Sequence, residues 1–219
     1  MGAQADQVRE DILNRVLNRT LLPGDRIDEQ DLRDRHELSG TPIREALIAL
    51  ETAGVIERRP RGGARVSSLD LEGLMKMIEV LAEAEGSVAY LAARRINSVQ
   101  AETLTNSARA CLDFANGQAD PGSNYYDLNL NFHRALIDAA GNEFMEQAVL
   151  QTANRLIAYL TARHALPGEH LRSANDHVAI CEAVLNSSGD RARSLMIEHV
   201  TFSDRIALDI MNAMKETVR

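Results

Sequence analysis

Residues 38–66 read LSGTPIREALIALETAGVIERRPRGGARV, and the fold of the front of the chain turns on them. Ser39 or Thr41 suits a helix N-cap, and Pro42 suits the first turn, where a missing N–H costs nothing. Ile43, Ala46, Leu47 and Leu50 recur at i, i+3, i+4 and i+7, the buried stripe of a helix over about 42–52. Arg44 and Glu45 point away from that stripe near its N-terminal end, where recognition helices meet base edges and phosphates. Residues 55–59 and 64–67 then read as two short strands around the turn Pro60-Arg61-Gly62-Gly63. The paired glycines do not read as a phosphate loop, because no Lys-Ser/Thr follows and no helix starts there.

Upstream, Val8, Ile12, Val16 and Leu17 share one face of a helix over about 6–19, which Pro23-Gly24-Asp25 ends. A second short helix over about 29–35 has Leu32 as its inward anchor. Three helices and a two-stranded wing in roughly 60 residues make a winged helix-turn-helix module. In that module Thr41 and Arg44 are placed to read the major groove. Arg58, Arg59, Arg61 and Arg65 form the basic cluster that would hold phosphates or probe the minor groove.

The net charge of −8 looks wrong for a DNA-binding chain until it is resolved along the sequence. Residues 1–69 carry −1 and residues 70–219 carry −7, and the four wing arginines face one nearby acid, Glu57. A local basic patch can neutralise phosphates while an acidic remainder faces away. With 45% hydrophobic residues the 219-residue chain can bury a substantial core, and its few aromatics and abundant Ala, Leu, Glu and Arg favour helix. No apolar run approaches the roughly 20 residues of a membrane span and no signal-peptide pattern opens the chain, so no membrane partner is expected. Cys111 and Cys181 are expected as free thiols of helix cores in a reducing cytoplasm.

Ser67-Ser68-Leu69-Asp70 is the expected boundary, giving domains over 1–69 and 70–219. Helices are predicted over about 70–96, 99–116, 123–140, 143–163, 170–186 and 190–215, separated by short Asn, Gly, Pro and Ser breaks. The fold class is therefore mainly α: a winged helix-turn-helix followed by a six-helix antiparallel bundle. Within that bundle Asn129 and His133 are four apart and share a helix face, with Tyr126 one turn earlier. His177 and His199 each lie eleven residues from Ser188, the centre of the turn between the last two helices. An antiparallel pair would bring both to one level, about 16 Å from the turn. Three imidazoles and one amide oxygen converging there could hold Zn²⁺ or another divalent transition ion. Satisfied core histidines, or a simple polar contact between helices, fit the same spacing.

These stretches resemble a known family. Leu22-Pro23-Gly24-Asp25, residues 39–47 and residues 61–66 are similar to the signature of GntR-family bacterial transcription regulators. Phe132-His133-Arg134-Ala135-Leu136, Ala140-Gly141-Asn142, His177 and His199 resemble the FadR-like, FCD-type effector domain in its shorter, VanR-like six-helix branch. The resemblance implies a cytoplasmic homodimer on a pseudo-palindromic operator, usually a repressor. It implies DNA contact by the arginine matching Arg44, and a minor-groove approach by Gly62 and Gly63. Asn129, His133, His177 and His199 would be the ligands of a divalent metal, with Zn²⁺ first and Ni²⁺ or Mn²⁺ as alternatives. A small organic acid would complete the metal's coordination sphere or bind beside it. Two positions depart from the family: Gly40 stands where an arginine is usual, and Leu81 stands where an arginine precedes the glutamate matching Glu85. Either Arg134 or Arg155, with Tyr126, supplies the candidate effector contacts in its place, or the effector is less acidic than is usual in the family. The rival reading is a metal-dependent hydrolase-like enzyme on the histidine cluster. It lacks a carboxylate on the Asn129–His133 face to act as base.

Overall fold

The computed structural model describes residues 2–59 and 62–216. The chain forms two compact units. One holds the residues up to Leu74, Leu150–Ala162 and those from Leu208 onward; the other holds Met75–Val149 and Arg163–Ala207.

In the first unit, α1 (Ala3–Leu17), α2 (Glu29–His36) and α3 (Gly40–Thr52) surround a small core of Val8, Ile12, Val16, Leu32, Ile43, Leu47 and Leu50, all buried. The Asp28 carboxylate starts α2 by accepting from Gln30 N at 2.8 Å and Asp31 N at 3.4 Å. α3 begins two residues before the predicted start. Its N-cap is Ser39 in extended backbone, but the serine hydroxyl makes no capping bond. The wing is a three-stranded antiparallel sheet in the order β1-β3-β2, from β1 (Arg26–Ile27), β2 (Ile56–Arg59) and β3 (Gly63–Val66). The two-residue β1 was not expected, because a strand that short has no periodicity to read. It is recruited when the Pro23-Gly24-Asp25 turn aligns Arg26 with Arg65 and Ile27 with Ala64. The same unit includes Tyr159. Its buried hydroxyl accepts from Leu69 N at 2.9 Å and donates to Leu69 O at 3.2 Å, fixing the chain two residues before the next helix begins at Leu71.

The second unit is a helical bundle drawn from α4 (Leu71–Arg95), α5 (Ser98–Ala115), α6 (Tyr125–Ala140), the ends of α7 (Glu143–His164), α8 (Glu169–Leu185) and α9 (Gly189–Val200). α5 packs against α6 and α8, and α8 against α9. A capping box at Asn97 and Gln100 starts α5, and Gly141, left-handed at φ +56, ends α6.

The predicted final helix over 190–215 is two helices, α9 and α10 (Asp204–Glu216). No Gly or Pro marks the break at Thr201-Phe202-Ser203. The stop is tertiary. The buried Arg163 guanidinium donates from Nη1 to the Val200 carbonyl at 3.0 Å and lies over the Phe202 ring at 4.5 Å, while Thr201 turns to extended backbone. Side-chain capping of a terminal carbonyl by arginine satisfies a group that another helical turn would otherwise have taken.

Candidate functional site

Two polar centres stand out, one in each unit. On α3, Thr41, Arg44, Glu45 and Ile48 are exposed opposite the buried stripe, so the residues predicted to read DNA lie together on one open face. Arg33 of α2 lies across Gly40, its Nη2 3.5 Å from where a Cβ would stand, and brings a cation to the start of that helix.

The wing arginines do not form a single set. Arg58 is exposed, with Nε 3.9 Å from the Glu51 carboxylate. Arg65 is half-buried and donates from Nη1 to the Gly24 carbonyl at 2.9 Å, so it anchors the turn before β1. Arg59 ends β2 opposite Gly63, whose φ of +69 suits glycine at the start of β3. Gly62 lies in the turn, and Arg61 falls outside the described residues. Arg26, exposed on β1 with Nε 3.9 Å from a Cβ placed on Gly63, adds a cation that sequence reading missed.

In the bundle, α6, α8 and α9 bring His133, His177 and His199 together, with one donor nitrogen from each inside a 4.8 Å cluster. The His177 and His199 Nε2 atoms are 3.2 Å apart, the contact expected from their equal distance to the turn. The Phe132 ring stacks on His177 at 3.9 Å and closes that side. Two carboxylates complete the arrangement. His133 Nδ1 is bonded to the buried Glu85 on α4, and His199 Nδ1 is 3.1 Å from Asp176 on α8. A carboxylate on the distal nitrogen fixes a ligating imidazole's tautomer and orientation.

Burial holds His177 and His199 well below the ordinary imidazole range, helped by the neighbouring imidazoles and by Arg172. They are therefore neutral, the form that offers a lone pair to a metal. Asn129 Oδ1, four residues before His133 on α6, is buried with no hydrogen-bond partner, an acceptor that a bound ion would satisfy. The donor set of imidazoles plus one oxygen suits Zn²⁺, Ni²⁺ or Mn²⁺, and the residues present fit such an ion.

What sequence reading missed was the role of the two carboxylates. Asp176 adjoins His177 in sequence but serves His199 across the helix pair, and Glu85 lies 48 positions from the histidine it braces. Neither pairing has a local signature. The buried Arg163 was missed as well. Burial lowers its pKa to about 10, and its Nε donates to Glu169 at 3.1 Å.

The candidate effector contacts separate. Tyr126 and Arg134 belong together on α6: burial pushes the phenol up to about 12, and the Arg134 charge opposes that shift. Arg155 is exposed in the first unit, and its side chain lies against Gly54, 2.9 Å from where a Cβ would stand. Leu81 is part of the bundle core.

Comparison with known proteins bears on both centres. Residues 4–66 match the model for bacterial regulatory proteins of the gntR family, and residues 76–202 match the FCD domain. The chain belongs to the GntR family. It is a transcription regulator with an FCD effector domain, not an enzyme, and among the described residues no helix is long and apolar enough to cross a membrane. This GntR regulator is similar to the HTH-type transcriptional repressor RspR of Escherichia coli (strain K12), 26% identical over 194 residues that cover 85% of this chain and 83% of the relative. It is also similar to the HTH-type transcriptional regulator LutR of Bacillus subtilis (strain 168), 25% identical over 207 residues, covering 85% and 93%. Among solved structures, E. coli McbR/YncC shares the fold with a TM-score of 0.72 at 18% identity, covering 100% of both chains.

Proposed function

We propose that this GntR regulator is an operator-binding repressor that works as a homodimer and senses a small organic acid at a metal held by its histidines. The observation that carries the sensor is the braced cluster: three imidazoles gathered within 4.8 Å, two of them bonded to carboxylates, with an unpartnered buried amide oxygen at Asn129, four residues before His133 on α6. Neutral, oriented imidazoles gathered in a helical bundle are costly to keep without a ligand, since buried polar groups lose water and need a partner in its place.

His133, His177, His199 and Asn129 would hold the ion, with Zn²⁺ first in order. The metal supplies a Lewis-acidic centre for an acid's oxygen, and Tyr126 and Arg134 supply a hydrogen bond and a positive charge on α6. Glu85 and Asp176 keep the Nε2 atoms of His133 and His199 free to ligate. On the DNA side, Thr41 and Arg44 read the major groove of a pseudo-palindromic operator, while Arg58, with Arg59 and Arg61 of the same hairpin, holds the backbone. Ligand binding changes operator affinity only by its unequal affinity for the two arrangements of the dimer; a tenfold change needs about 1.4 kcal/mol of coupling.

The test is a mobility-shift titration of the untagged protein against operator and random duplexes at two salt concentrations, with elemental analysis of the same sample. A preference for operator and one transition metal per chain support the reading. Equal affinity for random DNA rejects the regulator mechanism, and absence of bound metal after Zn²⁺ dialysis rejects the metal-centred sensor.

A further inference from the structure

We propose that Ile48 is a specificity residue, selecting operator thymines by packing against their 5-methyl group in the major groove. This rests on the reading that α3 enters that groove. At about 100° per helical residue, Thr41, Arg44, Glu45 and Ile48 fall within an arc of about 100°, with Ile48 near its middle. Ile43, Ala46, Leu47 and Leu50 occupy the opposite arc and are buried, so the face carrying Ile48 is the one the fold leaves open.

Ile48 is 52% exposed, a large aliphatic side chain at the centre of an otherwise polar reading face. With Gly2, Glu45 and Ala49 it lines an open depression of about 460 Å³. Ile48 is not part of the buried stripe of α3, and β-branching lowers helix propensity. The major groove offers one apolar feature, the thymine methyl, and apolar side chains are its complement. Continuity with Thr41 and Arg44, the residues placed to read bases, makes that methyl the occupant rather than a protein surface. Burying one methyl is worth about a fourfold change in Kd.

Sites are selected from a random duplex pool with the full-length protein, and each thymine of the enriched site is then replaced singly by deoxyuridine, which lacks only the methyl. At one thymine per half-site the wild type should bind about fourfold more weakly, and Ile48→Ala should lose that discrimination while binding the deoxyuridine duplex as the wild type does. Ile48→Ala lies on an exposed helical face, so folding is retained. Indifference to every substitution, or the same loss in Ile48→Ala as in the wild type, overturns the inference while leaving DNA binding intact. A change in self-association by Ile48→Ala without a methyl effect overturns it in favour of a protein contact. Failure to enrich any sequence overturns the DNA-binding reading and this inference with it.

Discussion

The recognition face of α3 and the histidine cluster of the bundle are both polar, but they are prepared in opposite ways. Thr41, Arg44 and Arg58 are exposed and keep their hydration until a partner arrives, so the fold gives up little to hold them. His177 and His199 are buried and neutral, stacked or braced by Phe132 and Asp176, and the fold bears their desolvation permanently. Losing a group from the first should leave stability unchanged and weaken a partner. Losing one from the second should alter stability and ligand together.

The largest effect is expected from His177→Ala, which removes a fully buried donor. It should abolish stoichiometric metal retention, read by elemental analysis, and should abolish the rise in Tm that Zn²⁺ gives the wild type. Arg44→Ala is the mirror case. It should weaken operator binding by about 5- to 150-fold, the value of one good bidentate base contact, with Tm unchanged in a thermal melt. Equal damage to Tm would show that the two centres are not prepared differently. Glu85→Gln keeps shape but removes the charge beside His133 Nδ1, and metal affinity measured by chelator competition should fall by about 10- to 100-fold.

Acid should separate the centres further. Burial lowers the folded-state pKa of His177 and His199, and that of His164 to about 3. Their unfolded values lie near 6.5, so below that pH the unfolded chain takes up protons that the folded chain refuses. Stability of the metal-free protein is therefore full above about pH 7 and declines toward pH 5, by up to about 1.4 kcal/mol per pH unit for each histidine. Urea titrations across that range measure the slope, and His164→Phe should reduce it. The smallest effect is expected from Arg58→Ala, an exposed wing cation: it should lower the salt dependence of DNA binding by about 0.9 in log–log slope, uniformly across sequences.

Most of the helical architecture was legible because amphipathic stripes and turn residues are local. Ile43, Ala46, Leu47 and Leu50 are buried as a period of 3.6 requires, and the glycine at 141 ends α6 where it was read to end. The symmetric placement of His177 and His199 about Ser188 was enough to predict that they would meet. The break between α9 and α10 was invisible, because it depends on Arg163 reaching a carbonyl 37 positions away. The pairing of Glu85 with His133 and of Asp176 with His199 escaped notice for the same reason, each carboxylate serving an imidazole on a different helix. Arg155 looked like an available cation and instead lies along Gly54, a partnership with no trace in the order of residues.

From residue order alone came the winged module, the helical character of the remainder and the histidines worth watching, since capping, turn chemistry and side-chain periodicity act over a few residues. Folding in three dimensions decided which carboxylate braces which imidazole, where the last helix stops and which arginines are already engaged. Those outcomes depend on desolvation and on contacts between distant segments, and only the packed chain brings the partners within reach of one another.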